Sequence, residues 1–253
     1  MKKLTVFCAA ACLAASAAAQ NHPDLHEVLD RQKGRNLIEI PKGTYTLDVR
    51  NNGPYKFHNL TDVHINGNGS TVICNNQEQA FSFYNCVRVE LRDLTIDYDP
   101  LCFTQGEITA VAEDGSWFDV RIDEGYPVTG LAANRVQFYD PQTRLLKRNS
   151  ITTYTSNYSA LKQLGHNLFR AVKNGTWSAG EQVGDLVVMD VKTDKPNAGV
   201  HTVMLNKCYN TKLENVTVYG SNTFSFFEKE GYANEYRNCV VDRGPMPQGI
   251  RPR

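Results

Sequence analysis

Apolar and polar residues alternate in short runs along this chain, and one run occurs almost complete in two places. Residues 86–97 (CVRVELRDLTID) and residues 208–219 (CYNTKLENVTVY) share the same order of apolar, polar and turn-forming positions. Val, Ile, Leu and Thr alternate with polar residues at a period of two, which is the pattern of a half-buried β-strand. The two runs therefore predict equivalent strands of a repeat architecture.

The repeat has a period of about 25 residues. Partial copies begin at Ile38 and Val63, and Val89 follows one further repeat along the chain. Asn, Asp and Gly follow the runs, as in residues 66–69 (NGNG), where a tight corner needs positive φ. Leucine-rich repeats have a similar period but need several leucines and a helical return. We therefore predict an all-β, right-handed parallel β-helix (solenoid).

One interval breaks this period, because the segment from Cys86 to Cys208 holds roughly a hundred residues more than one coil needs. Residues 107–112 and 116–122 alternate on either side of an Asp-Gly turn, which predicts an antiparallel hairpin. The predicted organisation is an inserted antiparallel β-barrel-like domain. The domain boundaries we expect are residues 1–20, 21–99 (N-terminal cap, with a short amphipathic helix, and first coils), 100–200 (insert) and 201–253 (further coils).

The first 20 residues predict a secretory signal peptide. A basic start (Lys2, Lys3) precedes a short apolar run and the small residues Ala17 to Ala19. A lipoprotein anchor at Cys12 is the less favoured alternative, because Ala9 stands where such signals usually have Leu. No other segment is long and apolar enough to span a bilayer. We expect a secreted or periplasmic protein without a membrane span.

Charge and composition narrow the possible partners. The 27 basic and 27 acidic residues give a formal net charge of zero, which argues against a nucleic-acid partner and favours an uncharged one. The six histidines have no metal-binding spacing, so we expect neither a metal nor a cofactor. We expect the cysteines to be small buried residues rather than a disulfide framework, with Cys86 and Cys208 on neighbouring coils.

Exposed ladders of side chains on a parallel β-helix suit extended glycans, and glycan hydrolysis typically uses two carboxylates. Asp97 ends a predicted strand where the insert begins, and Asp242 occupies the matching repeat position. Both are candidate substrate-binding residues, although a turn-forming role is the alternative for Asp97. For Asp99, which precedes a proline, the turn-forming role is favoured.

A second group of candidates follows a later coil strand. Glu228 and Glu230 lie beside residues 224–227 (FSFF), whose phenylalanines predict either the wall of a sugar site or part of the solenoid core. Arg243 follows Asp242 and is a candidate to bind sugar hydroxyls. The alternatives are solvated ion pairs for the glutamates and a turn cap for the Asp242–Arg243 pair.

Two stretches carry a family resemblance. Residues 38–45 (IEIPKGTY) resemble the opening coil of pectate-lyase-like β-helix proteins, and residues 85–100 with 105–111 resemble glycoside hydrolase family 110. That family comprises secreted bacterial exo-α-1,3-galactosidases, including enzymes acting on blood-group-B-type glycans, and its β-helix carries inserted β-barrel domains. The resemblance implies a glycan substrate and inverting hydrolysis by two carboxylates.

The resemblance does not place the catalytic residues in this chain. The catalytic aspartates of the family would align beyond Arg253, and residues 243–253 contain no capping element, so we expect the N-terminal part of a longer enzyme. A polysaccharide lyase or epimerase on the same scaffold and a non-catalytic glycan-binding surface protein remain alternatives, because the fold alone does not separate them.

Overall fold

The computed structural model describes most of the chain, namely residues 22–101, 103–148, 158–174, 180–191, 201–221 and 223–242. The predicted signal peptide, including Cys12, and the candidate Arg243 lie outside these ranges. The described residues form a parallel β-solenoid and an antiparallel sheet inserted into it, as the repeat and its interruption predict.

Two parallel sheets build the solenoid. The first contains β1 (Leu37–Glu39), β2 (Thr44–Leu47), β4 (Thr61–Cys74), β6 (Val87–Tyr98), β14 (Lys212–Tyr219), β16 (Glu235–Arg237) and β17 (Val240–Asp242). The second contains β3 (Tyr55–His58), β5 (Phe81–Tyr84), β13 (Val203–Asn206) and β15 (Phe226–Lys229). Successive coils stack in the orders β1–β4–β6–β14–β16 and β3–β5–β13–β15. All the pairings are parallel, so equivalent residues form columns that run from coil to coil.

The two long copies of the repeat pair with each other in register. Leu91 lies opposite Leu213 and Thr95 lies opposite Thr217, as the alignment of the copies predicts. Alternate residues of the strands from β1 to β6 and of β13 and β14 point into the coil and form one continuous core, which includes Ile65, Leu91 and Leu213. Neighbouring coils are separated by the strand spacing of about 4.8 Å, so each core side chain packs against its equivalent in the next coil.

Left-handed residues turn the corners between strands. Asp93, Asn215 and Asn238 have φ values of 55°, 53° and 50° and occupy one corner column. Asn and Asp tolerate this conformation better than most residues with a Cβ. Their side chains also hydrogen-bond to one another from coil to coil, so that the polar groups at this corner are partnered along the solenoid axis.

A short helix covers the N-terminal end of the solenoid, where the sequence predicts one. Helix α1 (Leu25–Asp30) is capped by the side chain of Asp24, which accepts from the backbone N–H of His26 at 3.0 Å. Leu25 and Leu29 are fully buried and belong to the solenoid core. A second helix, α2 (Val49–Asn52), forms one turn after β2.

The inserted sheet is antiparallel and has its own core. Its strands are β7 (Phe103–Val111), β8 (Trp117–Ile122), β9 (Leu131–Tyr139), β10 (Tyr158–Gln163), β11 (Leu168–Lys173) and β12 (Leu186–Val191). They pair in the order β10–β11–β8–β7–β12–β9, and β7 and β8 form the predicted hairpin. The edge strands β9 and β10 approach within 8 Å between Cα atoms, so the sheet curls toward a barrel. Phe118 and Phe138 pack edge to face inside it.

Candidate functional site

The insert leaves the solenoid at one corner of the coil, just after β6 ends at Tyr98. Gln77, in the equivalent corner after β4, donates its side-chain amide to the carbonyl of Leu101 at 3.3 Å. The ring of Phe103 packs beside Gly220, at the end of β14. The first residues of the insert therefore lie against the ends of β6 and β14.

Two candidate carboxylates lie in one column on the outer face of the first sheet beside this corner. Val218 of β14 pairs with Ile96 of β6, so the next residues, Tyr219 and Asp97, lie side by side. Tyr219 pairs in turn with Asp242 of β17. Asp97 and Asp242 thus share a column, as their repeat positions predict, with Tyr219 between them. Two coil spacings separate their backbones by about 9–10 Å.

Asp97 lies in surroundings that favour its protonated form. Its side chain is half-buried, and burial raises its pKa, to which the negative charge of Asp99 adds. The backbone N–H of Tyr98 donates to Asp97 Oδ1 at 2.8 Å and opposes part of this shift. Asp97 therefore keeps its proton to a higher pH than a solvated aspartate and, when protonated, can donate a hydrogen bond. Asp99 itself is exposed and lies beyond the strand.

A strip of threonines runs beside the Asp97 column. Thr44, Thr71, Thr95 and Thr217 are partners in successive coils, and each is half-buried. Threonine is common in strands because its branched side chain packs well there. Each hydroxyl is also both a donor and an acceptor, so the strip offers sugar hydroxyls a flat row of partners next to Asp97 and Tyr219. The alignment of the repeats pairs Thr95 with Thr217. Thr44 and Thr71 join the strip only through the strand register.

Glu228 lies elsewhere, in a column that points into the coil. It pairs with Leu205, which pairs with Phe83, and both of these partners are buried. Its two carboxylate oxygens accept from Asn234 Nδ2 at 2.8 Å and from the hydroxyl of Tyr236 at 3.3 Å. Burial, with the charge of Glu228 added, raises the pKa of Tyr236. Glu228 is itself exposed in the last strand of its column, where it holds Asn234 and Tyr236 of the following turn, and it is not on the face of Asp97.

Glu230 occupies a corner with φ of 53° and is exposed. Its carboxylate lies 3.4 Å from the Lys229 ammonium and 3.8 Å from that of Lys207. Glu230 is therefore a solvated turn residue with lysine neighbours, which agrees with the structural alternative for this position. Four of the five substrate-binding candidates lie in the described part of the chain, and of these Asp97 and Asp242 share a column, whereas Glu228 and Glu230 do not.

The other half of the first sheet carries a column of polar and charged side chains. His64, Glu90, Lys212 and Glu235 are partners in successive coils. Glu90 accepts from His64 Nδ1 at 2.8 Å and from the Lys212 ammonium at 3.3 Å. Burial alone would raise the pKa of Glu90, but these two hydrogen bonds outweigh it and hold the pKa low. The charges on this half are thus compensated by their neighbours.

The cysteines are arranged largely as predicted. Cys86 and Cys208 are fully buried free thiols in successive coils, where the N–H of Tyr209 donates to the carbonyl of Cys86 at 2.9 Å. Among the described residues, no three His, Cys, Asp or Glu side chains are grouped to hold a metal ion. In the same part of the chain, no helix has the length and hydropathy needed to cross a membrane.

No protein-family model matches the sequence, and the comparison with curated proteins gives no match. The Asp97 column and the threonine strip are the features of the described residues that bear on function.

Proposed function

We propose that this chain belongs to a secreted glycoside hydrolase that acts on terminal α-1,3-linked galactose, and that the Asp97 column is part of its substrate-binding face. The observation that carries the proposal is the column itself: Asp97, Tyr219 and Asp242 lie in register on an outer sheet face, beside the corner where the insert begins. The resemblance of residues 85–100 to α-1,3-galactosidases supplies the substrate class.

The chemistry of this face suits a neutral glycan. The half-buried Asp97 donates a hydrogen bond when protonated and accepts when ionised, the threonine strip adds hydroxyl partners, and Tyr219 offers an aromatic ring with a polar tip. The backbone spacing of about 9–10 Å between Asp97 and Asp242 leaves room for a sugar unit over Tyr219.

One observation favours a hydrolase over a lyase. A lyase or epimerase acting on uronates needs positive charge near the carboxylate of its substrate. The Asp97 column runs through Thr46, Ile73, Asp97, Tyr219 and Asp242 and includes two carboxylates and no basic residue. A uronate bound along it would meet like charges, which weaken binding.

The test is an incubation of the protein, at its natural length, with α-1,3-galactobiose, β-1,3-galactobiose and polygalacturonate. We expect free galactose from the α-linked disaccharide alone. The Asp97→Asn variant should bind that disaccharide at least about 10-fold more weakly, a difference of about 1.4 kcal/mol. Asp114→Asn, at an exposed turn of the insert, is the matched control and should bind as the unmodified protein does.

Unsaturated uronate products from polygalacturonate, with no galactose released, would overturn the proposal in favour of a lyase. Binding of the α-linked disaccharide without cleavage would identify a glycan-binding protein instead. Equal affinity of Asp97→Asn and Asp114→Asn would remove the Asp97 column from the binding face.

A further inference from the structure

Three aromatic rings form a cluster on the outside of the solenoid. The rings of His201 and Phe227 stack with centroids 4.0 Å apart, and Phe224 lies 5.3 Å from His201 and 5.9 Å from Phe227. The interplanar angles lie between 21° and 38°. Phe224 is 53% exposed. By contrast, Phe226 packs against the solenoid core and meets Tyr236 edge to face. Of the three phenylalanines in residues 224–227, Phe226 is therefore the one with the predicted core role.

The cluster lies on the same corner of the coil as the end of the Asp97 column. The backbone N–H of Thr202 donates to the carbonyl of Phe224 at 3.1 Å, which stacks the two turns on each other. The hydroxyl of Thr202 also hydrogen-bonds the hydroxyls of Ser221, at 2.9 Å, and Tyr98, at 2.8 Å. This network joins the turn carrying Phe224 to the ends of β6 and β14, where Asp97 and Tyr219 lie.

The exposed ring is held in a fixed orientation and in neutral surroundings. His201 and Phe227 support Phe224, so little side-chain entropy would be lost when a ligand covers it. Burial lowers the pKa of His201, which leaves the imidazole uncharged near neutral pH, and its Nδ1 lies 3.2 Å from the Thr223 hydroxyl. Single exposed apolar residues are ordinary. A half-exposed phenylalanine braced by two further rings is not required by the core and indicates a surface built for contact.

The electronic character of the rings selects the kind of ligand. An aromatic face carries partial negative charge, so it attracts C–H groups that bear partial positive charge and disfavours anions. The axial hydroxyl of a galactopyranose leaves its opposite ring face lined by C–H groups. A neutral hexose of this shape can place that face on Phe224 and direct its hydroxyls to solvent and to polar neighbours.

We propose that His201, Phe224 and Phe227 form an aromatic subsite on which a galactopyranosyl ring of the glycan stacks, with Phe224 as the contact surface. This inference rests on the proposed function for the identity of the sugar. It assigns to the solenoid corner a binding role separate from the carboxylates of the Asp97 column.

The test is calorimetric binding of α-1,3-galactobiose and of methyl α-galactoside to the protein at its natural length. We expect Phe224→Ala to weaken binding at least about 10-fold and Phe224→Trp to retain it, because tryptophan presents a larger aromatic face. Tyr232→Ala is the matched control, since Tyr232 is 68% exposed on a different corner. It should leave the affinity unchanged, and an unchanged thermal midpoint checks the folding of all three variants.

Wild-type affinity of Phe224→Ala would overturn the subsite, as would equal losses in Phe224→Ala and Tyr232→Ala. The two proposals fail in different ways. If galactose is released at the same rate and KM by wild type and Phe224→Ala, the subsite is wrong and the hydrolase stands. If the disaccharide binds through Phe224 but is not cleaved, the subsite stands and the hydrolase is wrong.

Discussion

Asn215 donates its side-chain amide to the carboxylate of Asp93 in the neighbouring coil at 2.8 Å, and both residues adopt left-handed φ, near 53° and 55°. Asn238 continues the ladder by donating to Asn215 Oδ1 at 3.2 Å. The Asp and Asn side chains thus have two roles at this corner: they tolerate the left-handed backbone conformation, and they form hydrogen bonds along the solenoid axis.

Replacing Asn215 by alanine should lower the free energy of unfolding by about 2 kcal/mol, because it removes two ladder hydrogen bonds and leaves a left-handed residue without the polar side chain that makes this conformation tolerable. Asn215→Gly loses the same hydrogen bonds without that strain and should be less destabilised, by about 1 kcal/mol. Urea unfolding measures both. Ala233→Gly is a complementary variant, since Ala233 has φ of 55°, and should be stabilised or unchanged. Equal stability of the two Asn215 variants would contradict the strain argument.

The Asp97→Asn variant should be more stable than the wild-type protein near neutral pH. Burial raises the pKa of Asp97 in the folded state, so its ionisation costs folding free energy once the pH rises through the unfolded value of about 3.9 toward the folded pKa. The gain should therefore be present at about pH 7 and vanish below about pH 4. Thermal midpoints at the two pH values measure it. A variant less stable than wild type at neutral pH would show that the ionised carboxylate is a stabilising group.

The Glu90→Gln variant should show the opposite dependence on pH. Hydrogen bonds from His64 and Lys212 hold the pKa of Glu90 below its ordinary value despite partial burial. The stability from these contacts is present above the unfolded pKa of about 4.3 and is lost as the pH falls through the folded value. We expect the variant to be destabilised at about pH 7 and equal to wild type in acid. Thermal midpoints across this range, in low and high salt, check it; an effect that persists in acid would contradict the ion-pair origin.

The ion pair between Lys173 and Glu181 in the insert should show strong non-additivity. Both side chains are almost completely buried. Lys173→Met alone leaves a buried carboxylate without its cation and should cost about 3–5 kcal/mol, whereas adding Glu181→Leu should restore much of the loss. A double-mutant cycle by denaturant unfolding measures the coupling. Additive losses would show that each side chain is stabilised by other neighbours.

Much of the architecture was predictable because a solenoid is a local repeat. The matching runs around Leu91 and Leu213 identify strands that stack, and the corner residues Asp93, Asn215 and Asn238 recur at the same positions. The overlong interval from Cys86 to Cys208 identifies the insert for the same reason, since a coil has a nearly constant length. These features depend on neighbouring residues and on chain length, which a linear sequence contains in full.

The candidate site was only partly predictable. The matching repeat positions of Asp97 and Asp242 indicated a common column, but the intervening Tyr219 and the neighbouring threonines depend on pairing between distant strands. Glu228 and Phe224 show the difficulty most directly, because both lie in one short acidic and aromatic segment. The structure places Glu228 in register with the buried Leu205, where it bonds Asn234 and Tyr236, and leaves Phe224 half-exposed beside His201.

The sequence by itself therefore determined the strands, the corners, the stacking order of the repeats and the presence of the insert. Only the tertiary structure decided which polar and aromatic side chains share the outer face near the insert. The physical reason is the period of two in a β-strand: a shift of one residue in register moves every side chain to the opposite face. Where the insert intervenes, that register is set by pairing with a strand more than a hundred residues away, as in the pairing of Leu91 with Leu213.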